Sequence, residues 1–209
     1  MSNNLERLKK YDFKFKKSLG QNFLFDSNIT DKIAKNSLPL SNTVIEIGPG
    51  AGTLTKSILK LNVNKIILIE KDASLIKLLK KLKEKHNSIE IYNKDALNVP
   101  IWKLGIGSRE VIANLPYNIS TKILIYLLKN SCKFTKLTMM FQKEVANRII
   151  AKPGSKIYNR LSVITQLKTK AKILFDVPDT AFFPKPKVQS SLVQLIPYEN
   201  KNHNFDFEK

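Results

Sequence analysis

"TVIEIGPGAG", residues Thr43 to Gly52, is the stretch on which the reading of the chain turns. Thr43 to Ile47 is apolar and β-branched apart from Glu46, which fits a strand buried on both faces. Glycines at 48, 50 and 52 then let the backbone turn tightly and come close to a ligand. They do so at the carboxyl end of a strand, where open α/β sheets bind cofactors. A helix through Leu54 and Ile58 follows. Alone, such a turn is weak grounds for a ligand, because close strand–helix packing can require the same glycines.

Outward from this point the pattern repeats. "KIILIE" (Lys65 to Glu70) reads as the next strand, and the helix "ASLIKLLKKLKEK" follows it. "IEIYN" (Ile89 to Asn93), "EVIAN" (Glu110 to Asn114) and "KLTMMF" (Lys136 to Phe141) continue the series. Strands alternating with helices predict an α/β fold with a parallel sheet covered on both faces. The pattern changes at "AKILFDV" (Ala171 to Val177) and "SSLVQLI" (Ser190 to Ile196). Only a proline-rich loop separates these two, so they are predicted to pair antiparallel at one edge of the sheet. In the helix after Glu70, the stripe Leu75, Ile76, Leu78, Leu79 and Leu82 is expected to pack on the sheet. Lys77, Lys80, Lys81, Lys83 and Lys85 are left as a solvated face or an RNA footprint. Beyond Pro197 the composition turns polar, as in a linker or the start of a further domain. No internal repeat is present.

The 209 residues carry a formal charge of +19, from 36 Lys and Arg against 17 Asp and Glu. That excess points to a polyanionic partner, although a lysine-rich proteome would produce some of it. A single cysteine, Cys132, excludes an internal disulfide and suits a reducing cytoplasm. His86 and His203 have no partner at ligand spacing, so no metal site is expected. No apolar run approaches the roughly 20 residues that cross a bilayer. "MSNNLERLKKYDFKFKK" lacks a secretory core and reads as a basic arm over residues 1–17.

Two acids follow strands at the same sheet edge as the glycine turn. Glu70 lies 22 residues after Gly48, the usual place for an acid that binds the ribose hydroxyls of an adenosine-containing cofactor. Asp95, in "KDAL", can accept from an adenine amino group, and helix capping explains it almost as well. The glycine spacing, with Pro49 removing a backbone donor, does not suit a pyrophosphate. A cofactor such as S-adenosylmethionine fits better.

"NLPYNIS", Asn114 to Ser120, then gains a purpose. An exocyclic base amine is a poor nucleophile because its lone pair is delocalised into the ring. The Asn114 oxygen and the Leu115 carbonyl can each accept one amino hydrogen, Pro116 stiffens the backbone between them and Tyr117, and the Tyr117 ring offers a stacking face. Stacking of this kind is worth roughly 1–3 kcal/mol, enough to hold an unstacked base.

"KSLGQNFL" (Lys17 to Leu24), "EIGPGAGTLT", "NLPYNIS", "QKEVANRI" (Gln142 to Ile149), "YNRLSV" (Tyr158 to Val163) and "AFFPKPKVQSSLV" (Ala181 to Val193) together resemble the KsgA-type small-subunit (16S) rRNA adenine N6,N6-dimethyltransferases. The resemblance runs from about Lys17 to Pro197. The related 23S rRNA resistance dimethylases share the first and third pieces but match "QKEVANRI" and "FFPKPKV" less closely.

The resemblance implies a Rossmann-like class I methyltransferase with a mostly parallel seven-stranded sheet and an antiparallel edge strand, over residues 18–197. It implies S-adenosylmethionine as cofactor, held by Asn22, Leu24, Gly48, Gly50, Glu70, Asp95, Ala96 and Asn114. It places Asn114, Leu115, Pro116 and Tyr117 at the reacting base, with Phe182 as the second aromatic of a sandwich around the adenine. Phe182 could instead plug the core, with Phe183 as the competing ring. The implied reaction is dimethylation of adjacent adenosines in a 3'-terminal hairpin loop of 16S rRNA, on the immature 30S subunit, by a cytoplasmic monomer.

Two departures stand out. The family's loop usually carries three successive prolines where this chain has Pro184-Lys185-Pro186. The family also continues into a small helical C-terminal domain, so residues 198–209 are expected to be a linker or its start, with the domain itself missing.

The RNA surface is expected to combine Lys9, Lys10, Lys16 and Lys17 with Lys143, Arg148, Arg160, Lys185 and Lys187. Two other classes remain open on residues alone. One is an RNA-binding assembly module without catalysis, and the other is a nicotinamide oxidoreductase.

Overall fold

The computed structural model describes residues 22–199. The basic arm, Lys9, Lys10, Lys16 and Lys17, and residues 200–209 lie outside the described residues. In chain order the elements are β1 (Phe23–Leu24), α1 (Ser27–Asn36), β2 (Thr43–Ile47), α2 (Thr53–Leu59), β3 (Lys65–Ile69), α3 (Ala73–Lys83), β4 (Ile89–Tyr92) and β5 (Arg109–Ala113). There follow α4 (Tyr117–Leu128), β6 (Lys136–Gln142), α5 (Lys143–Ile149), α6 (Arg160–Lys168), β7 (Thr169–Val177), β8 (Phe182–Phe183) and β9 (Ser190–Pro197).

Seven strands form one sheet in the order β4-β3-β2-β5-β6-β9-β7. The first five pair in parallel, and β9 runs antiparallel to both β6 and β7. The antiparallel pair thus sits at one edge as expected, with β7 outermost and β9 one place in. Since β9 runs against the others, it begins at the sheet edge where the parallel strands end. The loop that feeds β9 is thereby delivered to the edge carrying the glycine turn.

Alternating strand residues supply two cores. On one face Ile45, Ile67, Val111, Leu137 and Val193 pack with Ile123, Leu124 and Leu127 of α4 and Ala146 and Ile149 of α5. On the other, Val44, Ile66, Leu68, Ile112 and Met140 meet Ile33 of α1, Ile58 of α2, and Leu79 and Leu82 of α3. Burial on both faces explains why these strands read as continuous apolar runs. The α3 stripe divides its contacts: Leu79 and Leu82 reach the sheet, whereas Leu75 and Leu78 pack on Phe23 and Phe25. The reason is that β1 and its flanks fold back over α3, a non-local contact that helical periodicity does not reveal.

At the opposite edge of the sheet from the glycine turn, Lys136 is 8% exposed and fully buried Glu110 faces it at 3.1 Å. Lys136 Nζ also donates to the carbonyls of Ser37 and of Pro39, the latter at 3.1 Å, and Glu110 accepts from the Ser41 N–H at 2.8 Å. The pair ties the α1–β2 connection to β5 and β6.

Candidate functional site

A cleft of about 280 Å³ opens where β2, β3, β4 and β5 end. The glycine turn, Glu70, Asp95, Ala96 and Asn114 to Pro116 line it, and Asn22, Phe23 and Leu24 from the segment around β1 cover it. All eight residues expected at a cofactor therefore lie around one space. Parallel register produces the convergence, because Ile47 is level with Ile69 on β3 and with Ala113 on β5.

The glycine turn is built for close approach. Gly48 has φ +68°, and a Cβ there would stand 3.0 Å from Leu115 Cδ2. Gly50 has φ +58°, and its Cβ would meet Phe23 Cε1 at 2.9 Å. Side chains at either place would narrow the cleft from within.

Glu70 is 8% exposed, and its two oxygens accept from the N–H of Asp72 at 2.8 Å and of Gly50 at 3.1 Å. Burial raises its carboxyl above the ordinary range, and these backbone donors oppose the rise. A carboxylate offers about four acceptor directions, so capacity for sugar hydroxyls remains. Asn93 completes the corner, donating to the Glu70 carbonyl at 2.8 Å.

Asp95 takes the capping part considered from the sequence and lines the cleft as well. Its Oδ1 caps the following turn by accepting from Leu97 N–H at 3.0 Å, and its Oδ2 pairs with Lys71 at 2.8 Å. The Lys71 ammonium holds its carboxyl below the usual range.

Beneath the turn, Glu46 is buried and accepts the Thr55 hydroxyl at 2.6 Å. Burial, with a smaller contribution from Glu70's charge, pushes its carboxyl up to about 8, so it is neutral at pH 7. Sequence reasoning gave Glu46 no role. Its signal was a lone acid inside an apolar strand. Phe23, Lys71 and Asn93 were missed likewise, Asn93 despite following β4 as Asn114 follows β5.

Asn114 is partly exposed and Leu115 buried. Pro116, at φ −52°, is the N-cap of α4. Tyr117 and Phe182 are not part of the cleft lining. The Tyr117 ring points to β9, where its hydroxyl lies 2.6 Å from Ser190 Oγ. Phe182 is 4% exposed in the core cluster with Leu24, Met140 and Leu192, whereas Phe183 is 40% exposed. The antiparallel pairing of β8 with β1 dictates this, because it turns successive rings to opposite faces. In this conformation Phe182 occupies the core position that was the alternative to a base sandwich.

Three of the cationic residues expected at an RNA surface are paired with acids. Lys143 meets Asp176 at 2.5 Å, Arg148 meets Glu144, and Lys185 meets Asp179 at 3.1 Å. Exposed pairs of this kind contribute about 0–1 kcal/mol, so phosphates can displace the acids. Among the described residues no group of acids, cysteines and histidines could hold a metal ion, and no helix is long and apolar enough to cross a membrane.

The residues fit an adenosyl cofactor. An acid with spare acceptor capacity lies at the end of β3, a second acid lies after β4, and the glycine backbone leaves the space between them open.

Comparison with known proteins points the same way. The family model described as Ribosomal RNA adenine dimethylase matches residues 12–208. A ribosomal RNA small subunit methyltransferase A from Xanthobacter autotrophicus is 46% identical over 196 residues, covering 91% of this chain and 68% of the relative. A dimethyladenosine transferase from Plasmodium falciparum superposes with a TM-score of 0.74 at 34% identity, over 84% of this chain and 63% of that one. The 23S rRNA methyltransferase ErmE superposes with a TM-score of 0.73 at 27% identity, over 84% of this chain and 70% of that one.

Proposed function

The chain belongs to the ribosomal RNA adenine dimethylase family, and on that premise we propose that it transfers methyl groups from S-adenosylmethionine to N6 of adenosines in small-subunit rRNA. It is a Rossmann-like methyltransferase, and its sugar- and base-binding acids are Glu70 and Asp95. The observation that carries the reading is that Asn114 and Leu115 share one cleft with both acids.

S-adenosylmethionine supplies a methyl group already activated by its sulfonium. The task left to the chain is to orient a weak nucleophile. Asn114 Oδ1 and the Leu115 carbonyl accept the amino hydrogens, which draws the nitrogen lone pair out of conjugation and aims it into the cleft. Pro116 restricts the backbone that presents the carbonyl, and Tyr117 offers its ring to the base. The amino proton leaves to water. A second transfer requires the monomethylated amine to rebind with one hydrogen, so Asn114 does not demand two.

The substrate is the 3'-terminal hairpin loop of 16S rRNA in immature small subunits, which a cytoplasmic monomer bearing a +19 charge would reach by electrostatic steering. Residues 18–197 form the methyltransferase unit. The test is incubation with labelled S-adenosylmethionine and immature small subunits. Label in rRNA is expected, and Asn114→Ala should lower turnover on the order of a hundredfold while cofactor binding falls less. Binding without label would make the chain an assembly module, and full turnover in Asn114→Ala would remove that residue from the mechanism.

A further inference from the structure

We propose that Ser190 is a positioning residue that fixes the plane of the Tyr117 ring, an inference that rests on the methyltransfer reading above.

Ser190 is fully buried, and its Oγ lies 2.6 Å from the Tyr117 hydroxyl, across 73 positions of sequence. It opens β9, where its backbone is level with Gln142 on β6 and Val177 on β7. Its neighbours are held too. The Lys143 N–H donates to the Gln189 carbonyl at 2.9 Å, and Ser191 Oγ donates to Asp176 Oδ1 at 2.7 Å. The anchor is therefore a strand between two strands rather than a mobile loop.

At its other end Tyr117 is the first residue of α4, directly after Pro116. A ring fixed at both Cβ and hydroxyl cannot swing away from the face it presents. For a stacking surface this is preorganisation, since the ring need not be ordered when the base arrives. Tyr117 is partly buried and burial raises its hydroxyl's pKa, so the contact remains a neutral hydroxyl–hydroxyl bond across the working pH range.

The contact also joins two stretches that are far apart in sequence. Ser190 directly follows the 184–189 loop that leads out of β8, and Tyr117 belongs to "NLPY". Neither residue type discloses this. Ser190 in "VQSSLV" reads as an ordinary strand residue.

The test compares wild type with Ser190→Ala, Ser190→Thr, Tyr117→Phe and the double variant Ser190→Ala/Tyr117→Phe, by labelled methyl transfer to immature small subunits with thermal melts in parallel. Ser190→Ala and Tyr117→Phe should each lower kcat roughly three- to tenfold, as expected for one neutral hydrogen bond. Cofactor affinity should not change. The double variant should be no slower than either single one, and Ser190→Thr should restore the rate.

Unchanged kcat in Ser190→Ala beside a labelled wild type would overturn the inference alone, as would multiplicative losses in the double variant. So would a lower melting temperature with an unaltered rate for the folded protein. Absence of label with wild type would instead overturn the methyltransfer reading on which the inference rests.

Discussion

Replacing Glu46 by glutamine should flatten the dependence of folding stability on pH. In the folded chain Glu46 is buried beneath the glycine turn, accepts the Thr55 hydroxyl and has its carboxyl pushed up to about 8 from an ordinary 4.5. In the unfolded chain the same group titrates at the ordinary value. Between those two pH values the folded protein holds a proton that unfolding releases, so a rising pH favours the unfolded state. The contribution is intact below pH 4.5 and is lost progressively as pH climbs to about 8. At about 1.36 kcal/mol per pH unit the full window corresponds to roughly 4–5 kcal/mol. For a chain of this size, with about 2–4 °C per kcal/mol, the melting temperature should fall by some 10 °C or more from this group alone. Glu70 and Glu110, both raised by burial, act in the same direction. The glutamine amide of Glu46→Gln would still accept from Thr55 and has no proton to release. The variant should therefore match wild type near pH 5 and exceed it increasingly up to pH 8, in thermal or urea melts at four pH values. Parallel curves for the two proteins across that range would refute the reasoning, because they would mean that Glu46 is as well solvated folded as unfolded.

Three further outcomes are expected. Gly50→Ala places a Cβ against the Phe23 ring at a residue with positive φ. It should cost about 1–2 kcal/mol in stability and weaken S-adenosylmethionine binding about tenfold or more, as measured by urea melts and calorimetry. Lys136→Met strands the buried Glu110 and should cost about 3–5 kcal/mol in urea unfolding, with Lys136→Met/Glu110→Leu recovering much of it. If about five of Lys143, Arg148, Arg160, Lys185, Lys187 and the arm lysines touch phosphates, RNA affinity measured by filter binding should fall with salt at a log–log slope of roughly −3.5 to −4.5. A flat response would exclude them.

The sheet was legible because buried parallel strands must be apolar on both faces, and "TVIEI", "KIILIE" and "EVIAN" have no other economical reading. That Glu70 and Asp95 border the cleft was legible because open α/β sheets place ligands at strand ends, although position alone did not separate the capping part of Asp95 from a binding one. Ring orientation was not. Whether Phe182 faces the cleft or the core depends on β8 pairing with β1, more than 150 residues away in sequence, and no local pattern encodes such a pairing. Glu46 shows a different limit. An acid in a strand signals something, but whether it is charged follows only from how completely the helices close over it. The Lys136–Glu110 pair was invisible for a similar reason, since each residue begins or nearly begins a strand and reads as an ordinary exposed terminus.

The short ribbon of β1 and β8 joins the segment that covers the cleft to the chain that leads into β9. Phe23 is level with Phe183, and the Phe25 N–H bonds to the Ala181 carbonyl at 3.2 Å. One wall of the cleft, Phe23 and Leu24, is thus held by backbone hydrogen bonds to the chain that precedes the loop into β9. A displacement of Phe23 and Leu24 over the cleft would therefore be transmitted through backbone to Phe182 and Phe183, more than 150 positions along the chain but only one strand spacing away.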